Sequence, residues 1–347
     1  MKIPSKSIKK KAIELGFQKV GITQASKTGF EKKNLEEWLN KGNHANMKWM
    51  EKRRNERGDI KTYFPEAKSV ISVGMNYYTG TDQDDIRSDY KFSNYAWGDD
   101  YHLVLKKQLF ILLSWIKDKY PKANGIVCVD TSPVMDKVWA QRAGLGWIGK
   151  HTNLISRDYG SWLFLGELIL DQDLEYDKLF DEDLCGTCVA CIEACPTQAL
   201  NEYQIDARKC ISYLSIEHRG PFKNDQEDLD GWIYGCDICQ EVCPWNEKFS
   251  KQTDKQEFQI REEILSFENI DWDNINEEDF RKIFKKSAAK RTKYSGLKRN
   301  IEKNIREDGE ARKLVFFYCD DASMGFKIDW DCTSSYFSKS NHLIVQY

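Results

Sequence analysis

The stretch Cys185-Gly-Thr-Cys188-Val-Ala-Cys191-Ile-Glu-Ala-Cys195-Pro196 sets the terms for the chain around it. Three cysteines separated by two residues, a fourth after three more and a closing proline match the spacing of [4Fe–4S] ligation, in which the fourth thiolate crosses to a second cluster. A partner set follows as Cys210, Cys236-x-x-Cys239-x-x-x-Cys243 and Pro244. Cys185, Cys188, Cys191 and Cys243 can then hold one cluster, and Cys195, Cys210, Cys236 and Cys239 the other. Each short turn aims several thiolates at one small body, and the proline ends the local helix so that the chain can cross. Paired CxxC motifs also bind structural zinc, but two complete sets with reciprocal fourth ligands favour iron–sulfur. The protein is therefore expected to move electrons singly in a reducing compartment.

Outside this module the composition is that of an ordinary globular protein. Of the 347 residues 41% are hydrophobic and 31% charged, which excludes a disordered chain, and a net charge of -3 gives no global sign of a polyanion partner. Any nucleic-acid surface must come from local asymmetry of charge. No secretory core follows the basic N-terminus and no run is long enough to span a bilayer, so a cytoplasmic location without membrane contact is expected.

Ahead of the cysteines, helices and strands alternate. A helix is expected over residues 5–15, strands near 19–23, 69–77, 125–130 and 162–170, and an amphipathic helix with Leu105, Leu109, Leu112 and Ile116 on one face. The fold class is α/β (α+β). Boundaries are set at 1–174 for the α/β domain, 175–253 for the ferredoxin-like module, 254–306 for a helical basic segment and 307–347 for a tail of unassigned role. Cys128, in the apolar run Ile126-Val-Cys-Val, reads as a core residue; Cys319 and Cys332 fit no ligand pattern.

Two motifs invite over-reading. Gly144-Leu-Gly146-Trp-Ile-Gly149-Lys150-His151 matches G-x-G-x-x-G and most of a phosphate loop, yet lacks the strand-then-helix context and the Ser or Thr after lysine. A tight turn against something bulky, with Trp147 as a wall, is the better reading. Asp100-Tyr-His102 begins the D-x-H-x-x-G signature by which corrinoid proteins ligate cobalt, but the glycine is absent. Asp100 reads as a helix N-cap and His102 as a first-turn residue.

The order Tyr95-Ala-Trp-Gly-Asp-Asp-Tyr-His102, Val129-Asp-Thr-Ser-Pro133, Ala143 to Asn153, both cysteine sets and Lys290-Arg-Thr-Lys-Tyr-Ser-Gly-Leu-Lys-Arg-Asn300 resembles the epoxyqueuosine reductases over residues 5–303. The resemblance implies a nitroreductase-like cobalamin-binding domain before the two-cluster module, and deoxygenation of epoxyqueuosine to queuosine at the tRNA wobble position. It implies cobalamin held without histidine on cobalt. By the same resemblance Arg57, Asp130, Leu154, Ser212 and Asp237 are cofactor-pocket positions, Asp130 is the proton donor, and Ser132, Pro133 and Val134 receive the modified base. A pocket roofed by an apolar corrin is expected to keep the Asp130 carboxyl protonated by desolvation. The basic run from Arg281 to Arg299 is expected to grip the anticodon stem. An external one-electron donor such as a flavodoxin or ferredoxin and a monomeric state complete the expectations. The competing readings are a reductive dehalogenase-like corrinoid enzyme and a plain ferredoxin-type electron carrier.

Overall fold

The strand Ser69–Asn76 is buried at every position and organises the first half of the chain. It pairs antiparallel with Lys19–Gln24 on one side and with Leu163–Leu170 on the other, and Gly125–Cys128 closes the far edge of the four-stranded sheet. The computed structural model describes residues 4–222 and 228–305, so the expectations for the tail, including Cys319 and Cys332, lie outside the described residues.

Side-chain alternation divides the sheet into two faces. Ile71, Val73, Met75 and Leu168 pack with Ile8 and Ala12 of the helix Ser5–Glu14 and with Leu105, Leu109, Leu112 and Ile116 of the helix Tyr101–Lys119. Val70, Cys128 and Ile169 face the other way, against Ile60, Phe64 and Trp139. Cys128 is a buried core residue, as its apolar setting suggests. Every pairing in this sheet is antiparallel, so α+β is the apt description. The site cannot rest on the switch point of a parallel sheet, the usual site of α/β folds.

The glycine motif resolves into packing of the chain against itself. The short strands Trp147–Ile148 and Leu154–Ile155 form a hairpin, and a Cβ on Gly146 would stand 2.0 Å from the Ile155 carbonyl oxygen. Gly144 has φ +80°, and a Cβ there would stand 2.6 Å from the Lys178 carbonyl oxygen. Trp147 is buried with Ile155 and Cys243 and forms part of that core, not a pocket wall.

A second core joins the cysteine module to the segments that follow it. Phe92, Trp97, Tyr234, Trp272 and Phe284 bury their rings together, and Lys91–Phe92 pairs parallel with Trp232–Tyr234. Leu297 and Ile301 bring the residues after the basic run into the same core. Among the described residues no helix is long and apolar enough to cross a membrane.

Asn300 pins that last segment in place. Fully buried, its Nδ2 donates to the carbonyls of Ser215 and Ile233, each at 2.8 Å. Asn300→Ala leaves the Ile233 carbonyl unpaired in the core, at about 1–3 kcal/mol, while the Ser215 carbonyl keeps the Thr292 hydroxyl at 2.8 Å. Denaturant unfolding should show a loss of roughly 1–4 kcal/mol; a loss below about 0.5 kcal/mol would show that the two bonds do not anchor the segment.

Candidate active site and cluster module

A cavity of about 860 Å³ opens where the sheet, the segment 30–57 and the cysteine module meet. Its walls carry Phe30, Trp38, Trp49, Tyr77, Tyr101 and Phe164, with Leu154 and Val134 between them. Arg57 reaches it from the short helix Arg54–Gly58, stacked over Trp49 at 5.4 Å, and its Nη1 is buried with no hydrogen-bond partner. Burial pulls the Arg57 guanidinium below its ordinary pKa, against the pull of Asp136 and Asp130.

Four of the expected pocket residues meet here: Arg57, Asp130, Val134 and Leu154. Ser132 and Pro133 flank Asp130 in the chain without lining the cavity, and Ser132 turns its hydroxyl towards the Cys128 thiol. Ser212 and Asp237 also stand apart from the wall. Ser212 follows Cys210 and offers its backbone N–H to that sulfur. Asp237 is buried between Cys236 and Ile238, accepting from Ser93 Oγ at 2.6 Å and from the Asn94 N–H at 2.7 Å. Burial pushes its carboxyl up to about 6, while those donors pull it back.

The Asp130 carboxylate does not behave as a desolvated acid. Just beyond the strand Gly125–Cys128, with φ +48°, it turns towards the first turn of the helix Tyr101–Lys119. There His102 lies between two carboxylates, its Nδ1 2.7 Å from Asp100 Oδ1 and its Nε2 3.0 Å from Asp130 Oδ2. Asp100 also caps the helix, accepting from the His102 N–H at 3.0 Å. The Tyr101 ring stacks on the imidazole at 4.1 Å and on Phe164 at 4.3 Å. Burial opposes ionisation of Asp130, but His102, the Tyr101 hydroxyl and the charge of Arg291 together hold it below the usual carboxylate range. This reverses the expectation of a protonated Asp130, because the proton resides on His102. Burial lowers the imidazole pKa, and its two carboxylate partners overcome that and raise it to about 9. The relation joins residues 28 apart in sequence, and the expectation of a plain first-turn histidine missed it.

The eight cysteines of the two motifs gather in two groups. Cys191 lies within electrostatic reach of Cys243, Cys185 and Cys188, and Cys243 and Cys185 share an apolar cluster with Trp147. Cys239 senses Cys210 and Cys195 and also Cys191 of the first group, and Cys236 senses Cys239 and Cys210, so the two groups are close neighbours. Amides point at the sulfurs: Ala199 N–H donates to Cys195 Sγ at 3.3 Å and the Trp147 indole to Cys185 Sγ at 3.5 Å. Such donors suit thiolates of a cluster and tune its potential. Among the described residues no three His, Cys, Asp or Glu side chains converge tightly enough to hold a single metal ion, so the thiols are grouped without closing on one point. Cys188 is exposed, whereas Gln240, next to Cys239, lines the cavity.

The basic run divides into two kinds of residue. Arg291 pairs with Glu217 at 2.7 Å, Arg281 with Glu277 at 2.7 Å, and Arg299 donates to the carbonyls of Leu214, His218 and Gly220. These arginines serve the fold. Lys282, Lys285, Lys286, Lys290 and Lys293 are exposed. The segment is linked to the cavity wall without lining it: the Ala288 carbonyl accepts from Tyr234, whose hydroxyl lies 2.9 Å from that of Tyr95 on the wall.

Two measurements follow from this geometry. Anaerobic analysis should find about eight iron atoms and matching sulfide per chain, and Cys243→Ser should damage the cluster of Cys185, Cys188 and Cys191; zinc without sulfide, or damage confined to the other cluster, would overturn the grouping. In an NMR titration His102 should hold its proton until about pH 9, and Asp130→Asn should lower that value. Because the folded pKa is raised, the stabilisation from the protonated imidazole is complete below 6.5 and lost as pH rises through about 9. An unchanged His102 titration in Asp130→Asn would show that the two groups do not share charge.

The chain resembles known proteins along most of its length. Residues 184–246 match the family model described as 4Fe-4S double cluster binding domain, and residues 57–131 the one described as epoxyqueuosine reductase QueG, DUF1730. The epoxyqueuosine reductase of Leadbetterella byssophila is 47% identical over 86% of this chain and 97% of its own length. That of Cellulophaga algicola is 46% identical over 85% and 96%. The crystal structure of epoxyqueuosine reductase with an epoxyqueuosine-modified tRNA-Tyr stem loop superposes with a TM-score of 0.77 at 28% identity, covering 85% of this chain and 79% of that one. With relatives this similar across nearly their whole length, the chain belongs to the epoxyqueuosine reductase family.

Proposed function

We propose that this protein reduces epoxyqueuosine to queuosine in the anticodon of tRNA, in the cytoplasm, with a cobalamin in the 860 Å³ cavity and electrons supplied through two [4Fe–4S] clusters. The observation that carries the reading is that Asp130, paired with His102, lines the same wide aromatic cavity as Gln240, the residue beside Cys239. In this reading residues 1–174 hold cofactor and base, 175–253 carry the clusters, and 254–306 meet the RNA.

The residues present suit a corrinoid. The wall is broad and largely apolar, and the buried Arg57 Nη1 is a donor without an acceptor, which a carboxamide at the macrocycle rim would satisfy. When bound, the corrinoid supplies a metal centre that gathers single electrons into two-electron reducing power. Arg57 and Leu154 would hold it directly. Ser212 and Asp237 would act from behind the wall, by fixing Cys210 and the Ser93–Asn94 loop.

The work of the chain is then proton supply and placement. Asp130 faces the cavity and pairs with His102 Nε2, so a developing alkoxide beside Asp130 can draw that proton by a two-step relay, from the imidazolium to the carboxylate and from the carboxyl to the oxygen. Asp100 keeps the imidazole oriented and charged. Tyr101, stacked between His102 and Phe164, prevents the pair from swinging. The exposed lysines from Lys282 to Lys293 offer phosphate contacts, while Tyr234 and Tyr95 link their segment to the cavity into which an unstacked base would enter. The exposed Cys188 marks the side where a one-electron donor would dock. The chain is proposed to act as a monomer.

The reading is tested by mass spectrometry of tRNA nucleosides after incubation with reductant, cobalamin-loaded enzyme and epoxyqueuosine tRNA. Queuosine should accumulate with wild type, and Asp130→Asn should retain both clusters and cobalamin while losing about 10²–10⁴ in single-turnover rate. No queuosine from a fully loaded wild type would overturn the function; an undiminished Asp130→Asn would move the proton donor elsewhere.

A further inference from the structure

Behind the cavity wall lies a second pair of carboxyl groups that the mechanism above does not use. Glu167 sits in the middle of the strand Leu163–Leu170, fully buried, opposite Ser72 on one neighbouring strand and Cys128 on the other. Directly opposed residues of antiparallel strands share a face, so Ser72, Glu167 and Cys128 form a row of polar groups across an otherwise apolar sheet. A lone carboxylate there is costly, and an apolar residue would serve the fold better. Ser72 Oγ donates to Glu167 Oε1 at 3.3 Å, which leaves Oε2 buried without a partner. The same is true of Oδ1 of Asp136, the first residue of the helix Asp136–Arg142. The two side chains are hydrogen-bonding neighbours, and carboxylate oxygens can bond to one another only with a proton between them. Asp136, unlike Glu167, lines the cavity.

We infer that Asp136 and Glu167 share one proton through the cavity wall and that Asp136 delivers it to the departing oxygen as the second proton of the reaction. This role rests on the function proposed above. Removing the oxygen breaks two C–O bonds, forms one C=C bond and consumes two electrons and two protons, with water as the product. The electrons come through the clusters and the Asp130–His102 pair gives one proton. Asp136 gives the other, and the pair is recharged from solvent. Arg57, Asp130 and Lys137 face Asp136 from the neighbouring helix, the loop before it and its own helix, and the Cys128 thiol faces Glu167. Arg57 and Lys137 favour the ionised pair, but burial and mutual repulsion prevail, taking Asp136 up to about 6 and Glu167 well above the carboxylate range.

Glu167→Gln keeps the shape and a neutral bond to Asp136 but removes the shared proton; Asp136→Asn is the second variant, should the first fail to fold. Infrared spectra of the loaded enzyme near neutral pH should show a protonated-carboxyl band that disappears in Glu167→Gln and shifts in frequency in Asp136→Asn, where the buried Glu167 keeps its proton without the carboxylate partner. Single-turnover rates should fall about 10²-fold with iron content and cobalamin retained. The wild-type rate should decline as pH rises through the titration of the pair, and the variants should lack that limb. Absence of the band in wild type would overturn the shared proton, and variants turning over at the wild-type rate would overturn its delivery. A wild type that shows the band yet leaves epoxyqueuosine unreduced would overturn the functional reading, and delivery with it, but not the shared proton.

Discussion

The buried Asp237 carboxylate couples the two halves of this protein. It sits in the turn between Cys236 and Cys239 and accepts from Ser93 and Asn94, so the segment leading to Tyr95, Trp97 and Tyr101 is held against the cysteine module. The neighbouring Gln240 accepts from Ser161 at 2.9 Å and lines the cavity itself. A change in the position of the thiols would therefore be felt directly at the wall. Short, rigid coupling of this kind is what electron delivery to a bound group requires, because donor and acceptor must keep a fixed separation through many turnovers.

Charge is handled differently on the two sides of the cavity. On the side of the helix Tyr101–Lys119, Asp100 and Asp130 hold a protonated imidazole, and the proton is ready near neutral pH without any carboxylic acid being forced to stay neutral. On the sheet side burial prevails, and Asp136 and Glu167 have raised pKa values. Arg291 bridges the functions of its segment: its guanidinium pairs with Glu217 at 2.7 Å, and its charge acts on Asp130. Reversing it would disturb the site as well as any RNA surface, so Lys285, Lys290 and Lys293 are the cleaner probes of the latter.

Much of this was legible in the sequence. The cysteine spacing sorts the ligands because local turns dictate it, and the strands around residues 69–76 and 163–170 and the helix face of Leu105, Leu109, Leu112 and Ile116 follow from periodicity. The antiparallel direction of the sheet was not legible, since alternating helices and strands fit either direction. The Asp100–His102–Asp130 and Asp136–Glu167 contacts were not legible either, because tertiary packing brings these residues together and no spacing encodes them. Arg57 and Leu154 entered only through the family resemblance, and their place on the cavity wall supplies the physical reason that the sequence lacked.

The account stands or falls on whether electrons taken up by the cysteine-bound clusters reach a corrinoid in this cavity. An anaerobic spectroscopic titration addresses this directly: the iron-loaded chain is combined with cobalamin and reductant is added stepwise while cluster and corrinoid absorbances are followed together. One corrinoid per chain should bind, and its reduction should track electron uptake by the clusters. Reduced clusters beside a corrinoid that stays free in solution, or that binds and remains oxidised, would contradict the account.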